Sequence, residues 1–139
     1  MNEFILDDIY IGLTQSFSVT ITEEMLDKFL AVTEDTNPLH IDKSYALSKG
    51  FSDRVAYGLL TASFYSTLVG VHLPGKFCIL QGLDIIFTKP VYIGNTLTIT
   101  GKVSYINDAY KQLEIRAIIS NQDGIIVSRA KIKTGLIDA

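Results

Sequence analysis

Hydrophobic positions in the first third of the chain change their spacing twice. Between Gln15 and Ile21, Phe17, Val19 and Ile21 fall on every second residue, the period of a half-buried strand. Thr22 then offers a helix N-cap, with Ile21 and Leu26 spaced as a hydrophobic staple around it. Met25, Leu26, Phe29 and Leu30 recur at helical spacing, which predicts a short amphipathic helix from Glu23 to about Thr33. That helix cannot run through Asn37-Pro38, because a proline pushes its predecessor out of the helical region. Asp42 is placed to cap a further short helix, stopped at Gly50.

The stretch from Gly58 to Val71 predicts the most apolar helix of the chain. Gly58, Ala62, Ser66 and Gly70 recur four apart and form a stripe of small residues. Leu60, Phe64, Leu68 and Val71 occupy other faces, so this helix is expected to be covered nearly all round. His72-Leu73-Pro74-Gly75 ends it. Beyond that point the period returns to two. Leu83, Ile85 and Phe87 alternate up to Lys89-Pro90, and Leu97, Ile99, Val103 and Tyr105 form a second set. A turn at Asn107-Asp108 leads to Leu113, Ile115, Ala117 and Ile119, and Asp123-Gly124 leads into Ile125 to Thr134. The pattern predicts an α+β domain in which an antiparallel meander curls around one long helix. Such a sheet has open edges, and a homodimer is an economical way to cover them.

Composition narrows this further. The 139 residues fit a single domain, and with 47% hydrophobic residues, 19% charged and three prolines they are not a disordered chain. A net charge of −3 argues against nucleic acid as a partner. The longest uncharged run, Val55 to Val71, is broken by Gly58, Thr61, Ser63, Ser66 and Thr67, so it suits a buried helix better than a membrane span. Residues 1–10 carry Glu3, Asp7 and Asp8 and have no long apolar run, unlike a leader peptide. A soluble, cytoplasmic protein without membrane contact is expected. The single cysteine, Cys78, sits between Phe77 and Ile79 as a small hydrophobe, and no Cys/His cluster suggests a metal.

Acid–base chemistry by imidazole must use His40 or His72, the only two histidines. His72 lies at a helix end, where a cation is at home. His40 follows Asp35 by five residues, on what looks like an irregular segment kinked by Asn37-Pro38. Spacing alone favours an incidental hydrogen-bonded loop. The order of residues changes that: Asp35-Thr36-Asn37-Pro38-Leu39-His40 resembles the D-x-N-P-x-H signature of the MaoC-like, hydratase 2 family, the (R)-specific enoyl-CoA hydratases. The likeness extends through Ile41-Asp42, Phe51, Gly58-Leu59-Leu60-Thr61-Ala62-Ser63, Leu73-Pro74-Gly75 and Phe87-Thr88-Lys89-Pro90-Val91, over about residues 15–135.

This resemblance implies a hot-dog fold, usually dimeric, and hydration of trans-2-enoyl thioesters to (R)-3-hydroxyacyl thioesters or the reverse. Such chemistry needs a base for water, a proton for the α-carbon and donors for the thioester oxygen. By resemblance, Asp35 and His40 hold the water, and the Gly58 N–H at a helix start serves the oxygen. Asn37 and Pro38 shape the loop. Tyr57, Ala62 and Ser66 are expected to shape the site, with the acyl tail lying along the small-residue stripe. No separate cofactor is implied, since coenzyme A or an acyl carrier protein enters as part of the substrate. The chain departs from the family pattern at Glu34, where a glycine is usual, at Arg54 (proline) and at Tyr57 (histidine). Two alternatives stand beside hydration: a non-catalytic acyl-binding or pairing subunit, and an acyl thioesterase. Lys89, Lys102, Arg116, Arg129, Lys131 and Lys133 include possible phosphate contacts, though strand cations more often form a solvated face.

Overall fold

A computed structural model describes residues 1–137. Strand β1 (Thr14–Thr20) hands over to helix α1 (Glu23–Thr33) through the predicted cap, with Thr22 Oγ1 accepting the Met25 N–H at 3.3 Å. Ile21 and Leu26, the two staple positions, are both buried. The helix stops at Glu34, which takes a left-handed conformation with φ 56°. Two short helices follow, α2 (Pro38–Ile41) and α3 (Lys43–Ser48), the latter capped by Asp42. The central helix α4 (Gly58–Thr67) then widens into a π-helical turn at Leu68–His72. Strands β2 (Cys78–Phe87), β3 (Thr96–Asn107), β4 (Gln112–Ser120) and β5 (Ile126–Leu136) complete an α+β fold.

All strand pairs are antiparallel, in the order β1-β3-β4-β5-β2. Only β3, β4 and β5 form the expected meander. β2 pairs with β5 at the far edge, and the chain crosses the whole sheet before starting β3 beside β1. Alternation reports which face of a strand is buried, and it carries no information about the neighbour.

One face of the sheet packs on α4 and its π turn. Leu97, Ile99, Val103, Leu113, Ile115, Ile119 and Ile132 from the strands meet Leu60, Tyr65, Leu68 and Val69 in one buried cluster. Each such side chain contributes roughly 1.5–3 kcal/mol by leaving water. The buried Tyr65 hydroxyl lies 2.7 Å from Ser128 Oγ, so the core carries that polar pair at little cost. Gly101 lets the helix come close: a Cβ there would lie 2.6 Å from Leu68 Cδ2. On the opposite face, Ser16, Ser18 and Thr20 of β1 pair hydroxyl to hydroxyl with Thr100, Thr98 and Thr96 at 3.0–3.1 Å.

Two expectations about burial are corrected. Tyr105 is exposed, because a bulge at Ser104 shifts the register from Val103↔Ile115 to Tyr105↔Glu114 and turns Ile106 inward instead. The central helix is also not covered all round: Leu59 is 68% exposed, and Ser63 and Ser66 are open as well. The edge strand β2 is bare in a similar way. Leu80, Leu83 and Phe87 point to the helix side yet are 41–48% exposed, and Ile86 on the other face is 65% exposed. Among the described residues, no helix is long and apolar enough to cross a membrane.

Candidate active site

Two successive Asp/Asn turns build the segment after α1. Asp35 Oδ1 accepts the Asn37 N–H at 3.1 Å, and Asn37 Oδ1 accepts the Leu39 N–H at 3.0 Å. Asn37 thereby caps α2, and Pro38 takes its first position, where a missing N–H and a preset φ suit a helix start. His40 is therefore on a helical turn and not on the irregular loop that the proline suggested.

His40 is half-buried, and its Nδ1 lies 2.7 Å from the carbonyl oxygen of Val55. A carbonyl only accepts, so Nδ1 carries the proton and Nε2 keeps the free lone pair of the neutral ring. The Val55 segment is itself fixed. Its N–H donates to Leu39 O at 3.1 Å, and the next N–H, of Ala56, donates to Val91 O at 2.7 Å.

Tyr57, only 2% exposed, joins these parts. Its ring stacks on His40 with centroids 4.2 Å apart and packs on Phe29 of α1 at 4.8 Å. Its hydroxyl donates to the backbone carbonyl of Asp35 at 2.8 Å. Burial, and then the charge of Asp35, push the ionisation of Tyr57 above the usual phenol range, so it remains a neutral donor at pH 7.

Gly58, the next residue, opens α4. Thr22, Asn37 and Asp42 each cap their helix with a side chain, whereas Tyr57 gives α4 no side-chain cap. The first N–H groups of α4 are left for another acceptor, with the positive end of the helix dipole behind them. A cavity of about 320 Å³ lies at this point, walled by His40, Val55, Gly58, Thr61, Phe87 and Lys89 among others. The Phe87 ring rests against Gly58 so closely that a Cβ would meet it at 3.3 Å.

The other candidate residues are distributed as follows. Asp35 is exposed and does not line the cavity itself; it is tied to His40 through Tyr57. Ala62 is buried in the core and Ser66 lies on an open face of α4, and neither borders the cavity of the protomer. Of the six cations, Lys89 alone is on the cavity wall. Lys102, Arg116, Arg129 and Lys131 border a groove on the outer face of the sheet, where Glu114 lies within 3.8 Å of Arg116 and 3.5 Å of Lys131. His72 stacks on Phe17 at 4.7 Å. Burial pushes the Cys78 thiol up to about 11, the setting of an unreactive cysteine. Among the described residues, no group of His, Cys, Asp and Glu is placed to hold a metal.

Sequence reasoning missed Val55, Thr61 and Phe87 as parts of the site. Val55 acts through a carbonyl that any residue would supply, so nothing in its side chain could have announced it. Phe87 belongs to the stretch before Lys89-Pro90 that carries the family likeness, which was its one available signal.

The chain is similar to proteins of known name. The profile of the MaoC-like domain family matches residues 11–121. A protein of Rhodospirillum rubrum named (R)-specific enoyl-CoA hydratase is 38% identical over 98 residues, which cover 70% of this chain and 68% of that protein. One of the same name from Aeromonas caviae is 34% identical over 98 residues, covering 70% and 73%. The solved structure of an A. caviae (R)-hydratase involved in PHA biosynthesis superposes with a TM-score of 0.88 at 28% identity, over 93% of this chain and 98% of that one.

Proposed function

The chain belongs to the MaoC-like domain family, and from that premise we propose that it is a hydro-lyase acting on acyl thioesters. The reaction is the reversible addition of water to a trans-2-enoyl thioester, giving the (R)-3-hydroxyacyl thioester. His40 Nε2 and the Asp35 carboxylate hold one water. Its oxygen adds to C3 of the enoyl group, the pair takes up its proton, and a proton is returned to C2. The Gly58 N–H donates to the thioester oxygen, where negative charge grows as C3 is attacked, a contact typically worth about 3–4 kcal/mol.

One observation carries this assignment. The bond from His40 Nδ1 to Val55 commits one ring nitrogen and leaves Nε2 free of it, on a residue that lines the same cavity as Gly58 at the uncapped start of α4. Asn37 and Pro38 set the turn between the two members of the pair. No separate cofactor enters, because the carrier arrives with the acyl group. The working unit is a homodimer joined along β2, whose apolar side chains are otherwise bare.

Incubation with crotonyl-CoA tests the assignment. Loss of the conjugated thioester absorbance without release of free thiol is the expected result. Free thiol would make the protein a thioesterase. No change in either signal, with acyl-CoA still bound, would make it a non-catalytic subunit.

A further inference from the structure

We infer that Tyr57 is the positioning residue of the Asp35–His40 pair, holding the histidine by its ring and the aspartate by its hydroxyl. The inference rests on the proposed hydration and adds to it a brace that holds the two groups in place.

Asp35 and His40 stand on two successive turns that share Asn37. The carboxylate of Asp35 is bonded within its own turn, to the Asn37 N–H, and Nδ1 of His40 is bonded to Val55. The turns set the course of the backbone between the two residues, and a contact that spans both adds a brace to them. Tyr57 touches both. One face of its ring is against the imidazole at 4.2 Å, and its hydroxyl reaches the Asp35 carbonyl at 2.8 Å.

Tyr57 is itself fixed. It is 2% exposed and packs on Phe29, so its rotamer is set by α1. It also immediately precedes Gly58, so one residue couples the pair to the proposed thioester donor. A clamp on a backbone carbonyl acts whatever side chain stands at position 35, and a phenol kept neutral at pH 7 keeps donating. Catalytic groups misplaced by about 1 Å can lose on the order of a hundredfold in rate, which gives such a brace its value.

The test uses Tyr57→Phe, which keeps the ring and loses the hydroxyl, and Tyr57→Leu, which loses both. With crotonyl-CoA, Tyr57→Phe is expected to lower kcat about tenfold and Tyr57→Leu about a hundredfold, with KM within about twofold, because positioning acts on the transition state. In an Asp35→Asn background, Tyr57→Phe should add less than about twofold, since the group it positions is already disabled. Two readouts need no activity. His40 is one of only two histidines, so its imidazole NMR signals can be assigned, and Tyr57→Leu should shift them. Amide exchange over residues 35–39 should quicken in Tyr57→Phe. If the wild type hydrates crotonyl-CoA and both variants keep wild-type kcat, the positioning role is wrong and hydration stands. If the wild type is inactive, hydration falls, and unchanged His40 signals together with unchanged exchange overturn the clamp as well.

Discussion

An imidazole whose Nδ1 proton is committed to a carbonyl exchanges protons only through Nε2, so His40 works at a single atom. Asp35→Asn keeps the shape of the turn while removing the basic carboxylate, and His40→Gln keeps a polar side chain without the imidazole. Each is expected to lower turnover by on the order of 10²–10⁴, with the double variant little worse than either, because groups that share one water act as a unit. Asp35 is exposed, so thermal unfolding should move little in that variant. Cys78 gives a second expectation. With its thiol raised to about 11, the reactive thiolate is scarce at pH 8 and increases only as the pH climbs towards that value. Ellman's reagent should therefore label the native protein far more slowly at pH 8 than the denatured chain. At this scale the sequence was informative where side chains carry the role. The order of Asp35, Asn37, Pro38 and His40 singled out the segment, whereas Val55 acts through its backbone, and the double hold of Tyr57 exists only once α1, α2 and α4 have met.

Helix α4 gets its place from a missing side chain across from it. A methyl group on Gly101 would lie 2.6 Å from Leu68 Cδ2 and 3.1 Å from Ile115 Cγ2, in a region with no slack. Gly101→Ala should destabilise by about 1–3 kcal/mol through overpacking, and Leu68→Ala by about 2–5 kcal/mol through the cavity it leaves. Combined, the new methyl enters the space that Leu68 vacates, so urea unfolding should show a loss smaller than the sum of the two. Elements with a local cause were well marked in the sequence. Thr22, the staple pair and the helical spacing of Met25 to Leu30 fixed α1, and Asp42 fixed the start of α3. What local pattern does not encode was lost. Nothing at Ser104 distinguishes a bulge from continued alternation, and the clean alternation of Leu83, Ile85 and Phe87 held no hint that β2 would lie at the far edge beside β5.

The whole protomer exposes an unequal pair of sheet edges. β2 shows Ile79, Leu80, Leu83, Ile86 and Phe87 to solvent, and α4 leaves Leu59 open as well. Leu83→Lys places a charge on that edge at a position already 41% exposed, so the protomer should fold. Light scattering is expected to give the mass of two chains for the wild type and of one for this variant, with unchanged circular dichroism. A wild-type mass of one chain at micromolar concentration would refute pairing through β2. The fold class was legible early, because one apolar helix between runs of alternating strands leaves few ways to bury both. The opposite rim is made differently. The outward side chains Ser16, Ser18 and Thr20 of β1 are hydroxyls paired with Thr100, Thr98 and Thr96 of β3, so a polar face, not an apolar one, borders that rim. A sheet with two hungry rims recruits copy after copy and grows into a fibre. A tile with apolar side chains along one side and hydroxyls along the other gains more from meeting a twin at the first, so pairing through β2 is expected to close at two chains and not to propagate.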